Sequence, residues 1–168
     1  MTSLVRGLEI RTTNLCSACS YTRTETEYRP LSLIRILLAD DFEDWRRQVR
    51  LVLRARPEWQ VIAEASDGPE AVQKAEDLKP DLILLDIGLP KINGIEAARR
   101  IRQCCPSSKI IFLSQNKDFD IVRAALGTGA LGYIRKTDAR RELLLALDAV
   151  LRGEQFNNSS NGFKFTDI

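Results

Sequence analysis

Between residues 33 and 152, five short apolar runs alternate with five segments of helical periodicity, and this alternation narrows the possible folds most. The runs occupy 34–39, 59–65, 82–85, 110–113 and 132–134. Strands that are apolar throughout, rather than at every second position, belong to a sheet covered on both faces. The intervening segments carry apolar stripes at helical spacing. Phe42, Trp45, Val49, Val52 and Leu53 share one face, and Ala71, Val72, Ala75 and Leu78 share another. Further helices are predicted over about 95–102 with Ile95, Ala98 and Ile101 inward, over 119–126, and over 139–151 with Leu143, Leu144, Leu147, Val150 and Leu151 inward. Pro69 suits a first helical turn, Pro80 follows a helix end, and Asn93-Gly94 marks a turn. The pattern predicts a three-layer α/β domain: a five-stranded parallel sheet with right-handed crossovers and helices on both faces.

Such a sheet gathers its chemistry beyond the carboxyl ends of the strands. The first run ends in Asp40-Asp41, the third in Asp86, the fourth in Ser114, and the fifth is followed by Lys136. Three carboxylates crowded together repel one another and resist full ionisation unless a cation joins them. Acidic oxygens, a backbone carbonyl and water suit Mg²⁺. A carboxylate can also attack phosphorus to give an acyl phosphate, with a hydroxyl and an ammonium holding the phosphoryl oxygens. Each residue has a plainer role open to it. Asp40 or Asp41 can cap the helix that follows, Asp86 can form the turn before Gly88 and Pro90, and Ser114 can be a loop serine. Lys136, beside Arg135, can be a solvated lysine.

The chain has no histidine, which excludes Ser-His-Asp triads, imidazole metal ligands and a phosphohistidine of its own. A net charge of +2 is too small to demand nucleic acid or an anionic membrane as partner. The arginines of 46–56 and 99–102 fall on outer helix faces beside acids, without interleaved stacking aromatics, and read as solvated. Cys16 and Cys19 have the spacing of a metal or redox pair but no second pair follows, and the adjacent Cys104 and Cys105 are poorly placed for a mutual disulfide. Reduced thiols in a cytoplasmic protein are expected. No run is long enough to span a membrane. Residues 1–32 read as a mobile N-terminal extension, 33–152 as the domain, and 153–168 as a polar linker or tail with no output domain.

Four stretches, in order and at the spacing of one fold, carry a family resemblance. They are Leu38-Ala39-Asp40-Asp41, residues 81–102 around Asp86, Phe112-Leu113-Ser114, and Gly129-Ala130-Leu131-Gly132-Tyr133-Ile134-Arg135-Lys136. Together they resemble the receiver domain of two-component response regulators, the CheY-like family, closest in texture to the subgroup linked to a helix-turn-helix. The resemblance implies a doubly wound sheet of order 2-1-3-4-5. It also implies that Asp86 is the phosphoacceptor and that Asp40, Asp41, Asp86 and the Gly88 backbone carbonyl hold Mg²⁺. Ser114 and Lys136 would contact the phosphoryl group, and Tyr133 would be the switch aromatic, although a packed strand aromatic reads equally well. Thr137 stands where many receivers carry a proline after the lysine.

The implied function is phosphotransfer-controlled signalling. A sensor histidine kinase or phosphotransfer protein would supply the phosphoryl group, and the chain would assist the transfer without being an enzyme in its own right. The readout would be a protein surface or a phosphorylation-dependent homodimer, with no direct nucleic-acid or membrane binding, because only 16 residues follow Arg152. A dehalogenase-type phosphohydrolase needs a second aspartate two positions after the first, where this chain has Gly88. A flavin or nucleotide site would need a phosphate cradle in place of Asp40-Asp41-Phe42-Glu43. The alternative is a receiver-like interaction module that works without phosphorylation.

Overall fold

The computed structural model describes residues 33–157. These residues fall within one compact unit. They form β1 (Ile34–Ala39), α1 (Glu43–Leu53), β2 (Trp59–Ala65), α2 (Gly68–Leu78), β3 (Leu82–Asp86), α3 (Gly94–Cys104), β4 (Lys109–Ser114), α4 (Phe119–Leu126), β5 (Gly132–Arg135), α5 (Ala139–Leu151) and β6 (Phe156–Asn157). The sheet order is β2-β1-β3-β4-β5-β6, and every pairing is parallel. The sixth strand departs from the expected five. It is two residues long, pairing Gly132 with Phe156 and Tyr133 with Asn157, so it leaves no apolar run for the sequence to announce.

The apolar strands are buried as their composition requires, and alternation still sorts their side chains. Ile83 and Leu85 join Leu37, Ile110 and Phe112 in a core closed by α2, α3 and α4. Leu82 and Leu84 point the other way and join Ile36, Leu38, Ile111 and Ile134 beneath α1 and α5. A period-2 strand thus feeds two cores at once. Fully burying one such side chain is worth about 1.5–3 kcal/mol, so the central strands anchor everything placed at their ends.

The helix starts are set by local chemistry. Asp67 caps α2 by accepting from the Glu70 amide at 2.8 Å, with Pro69 in the first turn. Glu70 in turn accepts from the Ser66 amide at 2.7 Å and from Lys74 at 2.7 Å. Asn93 caps α3 through the Glu96 amide. At α1 the N-cap is Phe42, which makes no side-chain cap bond and is 61% exposed. Its expected place on the inward face of α1 is therefore wrong, because the helix begins only after it. Several of the arginines in these clusters are paired with acids: Arg46 and Arg50 with Glu64, Arg56 with Asp148, and Arg100 with Glu96. Cys104 and Cys105 remain thiols with their Sγ atoms 3.4 Å apart. Cys16 and Cys19 lie outside the described residues, as does the whole of the 1–32 extension.

Candidate functional site

The carboxyl ends of β1, β3, β4 and β5 meet at one edge of the sheet, each delivering one of the predicted groups. Asp40 follows β1 and is fully buried; Asp86 closes β3 at 5% exposure; Ser114 closes β4 at 4%. Lys136 follows β5, and its amide donates to the Ser114 carbonyl at 2.8 Å. Asp41 stands exposed at the rim. Carboxylate oxygens of Asp40, Asp41 and Asp86 lie within 4.8 Å of one another, the donor set of a hard divalent cation. Asp41, Asp86, Gly88, Ser114, Asn116 and Lys136 all line one cleft of about 1030 Å³.

Lys136 binds the acids together. Its Nζ lies 2.6 Å from Asp40 Oδ2 and 3.2 Å from Asp86 Oδ1. Buried carboxylates need such a partner, because desolvating an unpaired ion costs several kcal/mol. Burial nevertheless pushes the Asp86 carboxyl above its ordinary value; Lys136 pulls it down, and the neighbouring Asp40 pushes it up again. Asp40 also does a turn former's work, its Oδ1 accepting from the Phe42 amide at 3.1 Å. Arg46 holds the Asp40 carbonyl at 2.7 Å.

The loop after β3 is fixed by close packing. The Gly88 amide donates to Asp86 Oδ2 at 3.1 Å, which orients the carboxylate. Gly94 opens α3 directly against the Asp86 backbone, its amide donating to the Ile87 carbonyl at 2.9 Å. A Cβ at Gly94 would overlap the Asp86 carbonyl oxygen. Only glycine lets α3 begin this near to the acid.

A chain of hydrogen bonds leads away from the site. The Asn116 amide donates to Ser114 Oγ at 3.1 Å, and Tyr133 Oη donates to the Asn116 carbonyl at 2.7 Å. Tyr133 is 1% exposed, and burial raises its phenol above the usual value. Of the predicted site residues, Asp41, Asp86, Gly88, Ser114 and Lys136 line the cleft, Asp40 is buried against Lys136, and Tyr133 is tied to the lining residue Asn116. Sequence reasoning missed Trp45, which it assigned to the inward face of α1. The ring lies over Lys136, with Nζ 5.6 Å from its centroid. The available signal was an aromatic one helical turn after Asp41.

Residues 36–148 match the family model of the response regulator receiver domain. The chain belongs to that family. It is 39% identical over 120 residues to the transcriptional regulatory protein DegU of Brevibacillus brevis, covering 71% of this chain and 51% of that one. It is 41% identical over 122 residues to the transcriptional regulatory protein LiaR of Bacillus subtilis (strain 168), covering 73% and 58%. Among solved structures, a two-component response regulator of the LuxR family from Aurantimonas sp. SI85-9A1 superposes with a TM-score of 0.71 at 34% identity, covering 74% of this chain and 89% of that one. The chain spans about half the length of the curated relatives it matches. The described domain is thus a receiver of the two-component type, related to transcriptional regulators. None of the described helices is long and apolar enough to cross a membrane.

Proposed function

We propose that Asp86 is the phosphoacceptor of this receiver, loaded by a phosphohistidine on a sensor kinase or phosphotransfer protein. The observation that carries this reading is the ammonium of Lys136 bridging Asp40 and Asp86 beside Ser114, at the mouth of a cleft wide enough for a phosphoryl group. Asp40, Asp41 and Asp86, with the Gly88 carbonyl, would hold Mg²⁺. When bound, the ion would neutralise the acid cluster and the charge on the phosphoryl oxygens.

Attack by an Asp86 carboxylate oxygen forms the O–P bond as the N–P bond of the donor imidazole breaks. The imidazole leaves with the electron pair and the donor histidine returns to its neutral form by taking up a proton. The Gly88 amide on Oδ2 leaves Oδ1, which faces Lys136, as the attacking oxygen. Lys136 and the Ser114 hydroxyl then hold phosphoryl oxygens. A Ser114 hydroxyl drawn to the phosphoryl group gives up its bond to the Asn116 amide, and Tyr133 is tied to that same residue through its carbonyl. Ser114, Asn116 and Tyr133 would in this way pass the charge at Asp86 to the face of α4, β5 and α5, biasing a two-state surface for a partner or a second copy.

Residues 33–152 would suffice for this chemistry in the cytoplasm. Incubation with acetyl phosphate and Mg²⁺, read by intact mass, should add one phosphoryl group. An unchanged mass, or equal labelling after Asp86→Asn, would refute the assignment.

A further inference from the structure

We infer that Trp45 is a positioning residue for Lys136, its indole face keeping the ammonium at the site once the carboxylates are otherwise engaged. This rests on reading Asp86 as the phosphoacceptor. Trp45, Lys136 and Thr137 line two hollows at once: the cleft over Asp86, and a second hollow of about 580 Å³ between α1 and α5. The indole and the lysine therefore form part of the wall between them. With Nζ 5.6 Å from the ring centroid, the ammonium lies within the ~6 Å over which an aromatic face attracts a cation. The Lys136 side chain is only 10% exposed, so water screens this attraction little.

The polar end of the indole points to the same role. Its Nε1 is buried and has no hydrogen-bond acceptor among the described residues. Leaving an indole N–H unpaired is a cost that a phenylalanine would avoid while filling much of the same apolar space. What the indole adds over a phenyl ring is a stronger attraction for a cation on its face. That advantage has a use here. Lys136 is held by Asp40 at 2.6 Å and Asp86 at 3.2 Å. A divalent cation on those carboxylates would weaken their pull on the ammonium, whereas the indole would offer that metal no ligand and would go on holding the ammonium. Trp45 should therefore matter little for how tightly the cation binds and more for the phosphoryl step that follows.

Two measurements test this. Trp59 is the other tryptophan of the chain, so a Trp59→Phe protein reports on Trp45 alone. Without metal or phosphodonor, adding Lys136→Met should change the Trp45 emission, and identical spectra would overturn the contact. With acetyl phosphate at saturating Mg²⁺, Trp45→Leu should slow phosphorylation about three- to tenfold, the scale of one shielded cation–π contact. Trp45→Phe should fall between Trp45→Leu and the unaltered protein, with half-saturation by Mg²⁺ unchanged in both variants. In a Lys136→Met background, Trp45→Leu should slow the reaction no further. Equal slowing with and without Lys136, or rates that simply follow melting temperature, would overturn the positioning role. If the unaltered protein is never phosphorylated, the phosphoacceptor reading fails and the emission of Trp45 alone decides this one.

Discussion

At the scale of single residues, the site is held by contacts that oppose one another. Asp86 is buried against Asp40, and burial raises its carboxyl above the ordinary 3.8 despite Lys136. The folded state therefore binds its proton more tightly than the unfolded chain does. Its contribution to stability is whole below about 3.8 and is lost as pH rises through the folded value. Without Mg²⁺, Asp86→Asn should then melt no lower than the unaltered protein at neutral pH, and that relative advantage should shrink on acidification towards pH ~4. A variant that melted lower at neutral pH would contradict the ordering of these effects. Gly94 gives a steric case. Gly94→Ala must push α3 off the Asp86 carbonyl, and should cost about 1–3 kcal/mol in urea denaturation while slowing phosphorylation. The acids, Ser114 and Lys136 were legible in the sequence because strand ends of a parallel sheet share one edge. The Trp45–Lys136 contact was not, because the same face of α1 serves both core and site, and the helix's seat on the sheet decides which side chain reaches where.

At the scale of elements, α2 shows how much rests on a few polar atoms at a helix start. Asp67 and Glu70 exchange bonds with the backbone there, and Lys74, first among its partners, with the Ser66 amide next, holds the Glu70 carboxyl down at about 2. A depressed carboxylate stabilises above its unfolded value, near 4.5, and that stability disappears as pH falls towards 2. Glu70→Gln should lower the melting temperature at pH 7 by a few degrees, the difference narrowing through that window; a constant difference would point to packing instead. The helices were legible because each apolar stripe is long enough to show its period, and the first five strands because each is a short apolar run between such stripes. The sixth strand has two residues and is specified by pairing with β5, a tertiary cause that leaves little local mark. The start of α1 was misjudged at Phe42 for a related reason: an aromatic residue next to an apolar stripe has the right spacing whether or not the helix has begun.

At the scale of the whole molecule, the receiver's two cores lie on opposite faces of one sheet, and the acid edge is built on both. A protein lacking residues 1–32 should still fold and accept a phosphoryl group; loss of either would assign the extension a part in the domain. Millimolar Mg²⁺ should raise the melting temperature by relieving carboxylate repulsion, and Asp41→Ala should remove most of that gain. The parallel sense of β6 has a mechanical consequence. Because Phe156 and Asn157 run alongside Gly132 and Tyr133 in the same direction, a pull applied at Asn157 along the strand acts towards the sheet edge that holds Asp86. The load falls on the pairing in shear, with its bonds strained together rather than peeled one by one. The strand that bears it directly is β5, the one containing Tyr133, so tension on this end of the domain is felt first beside the site.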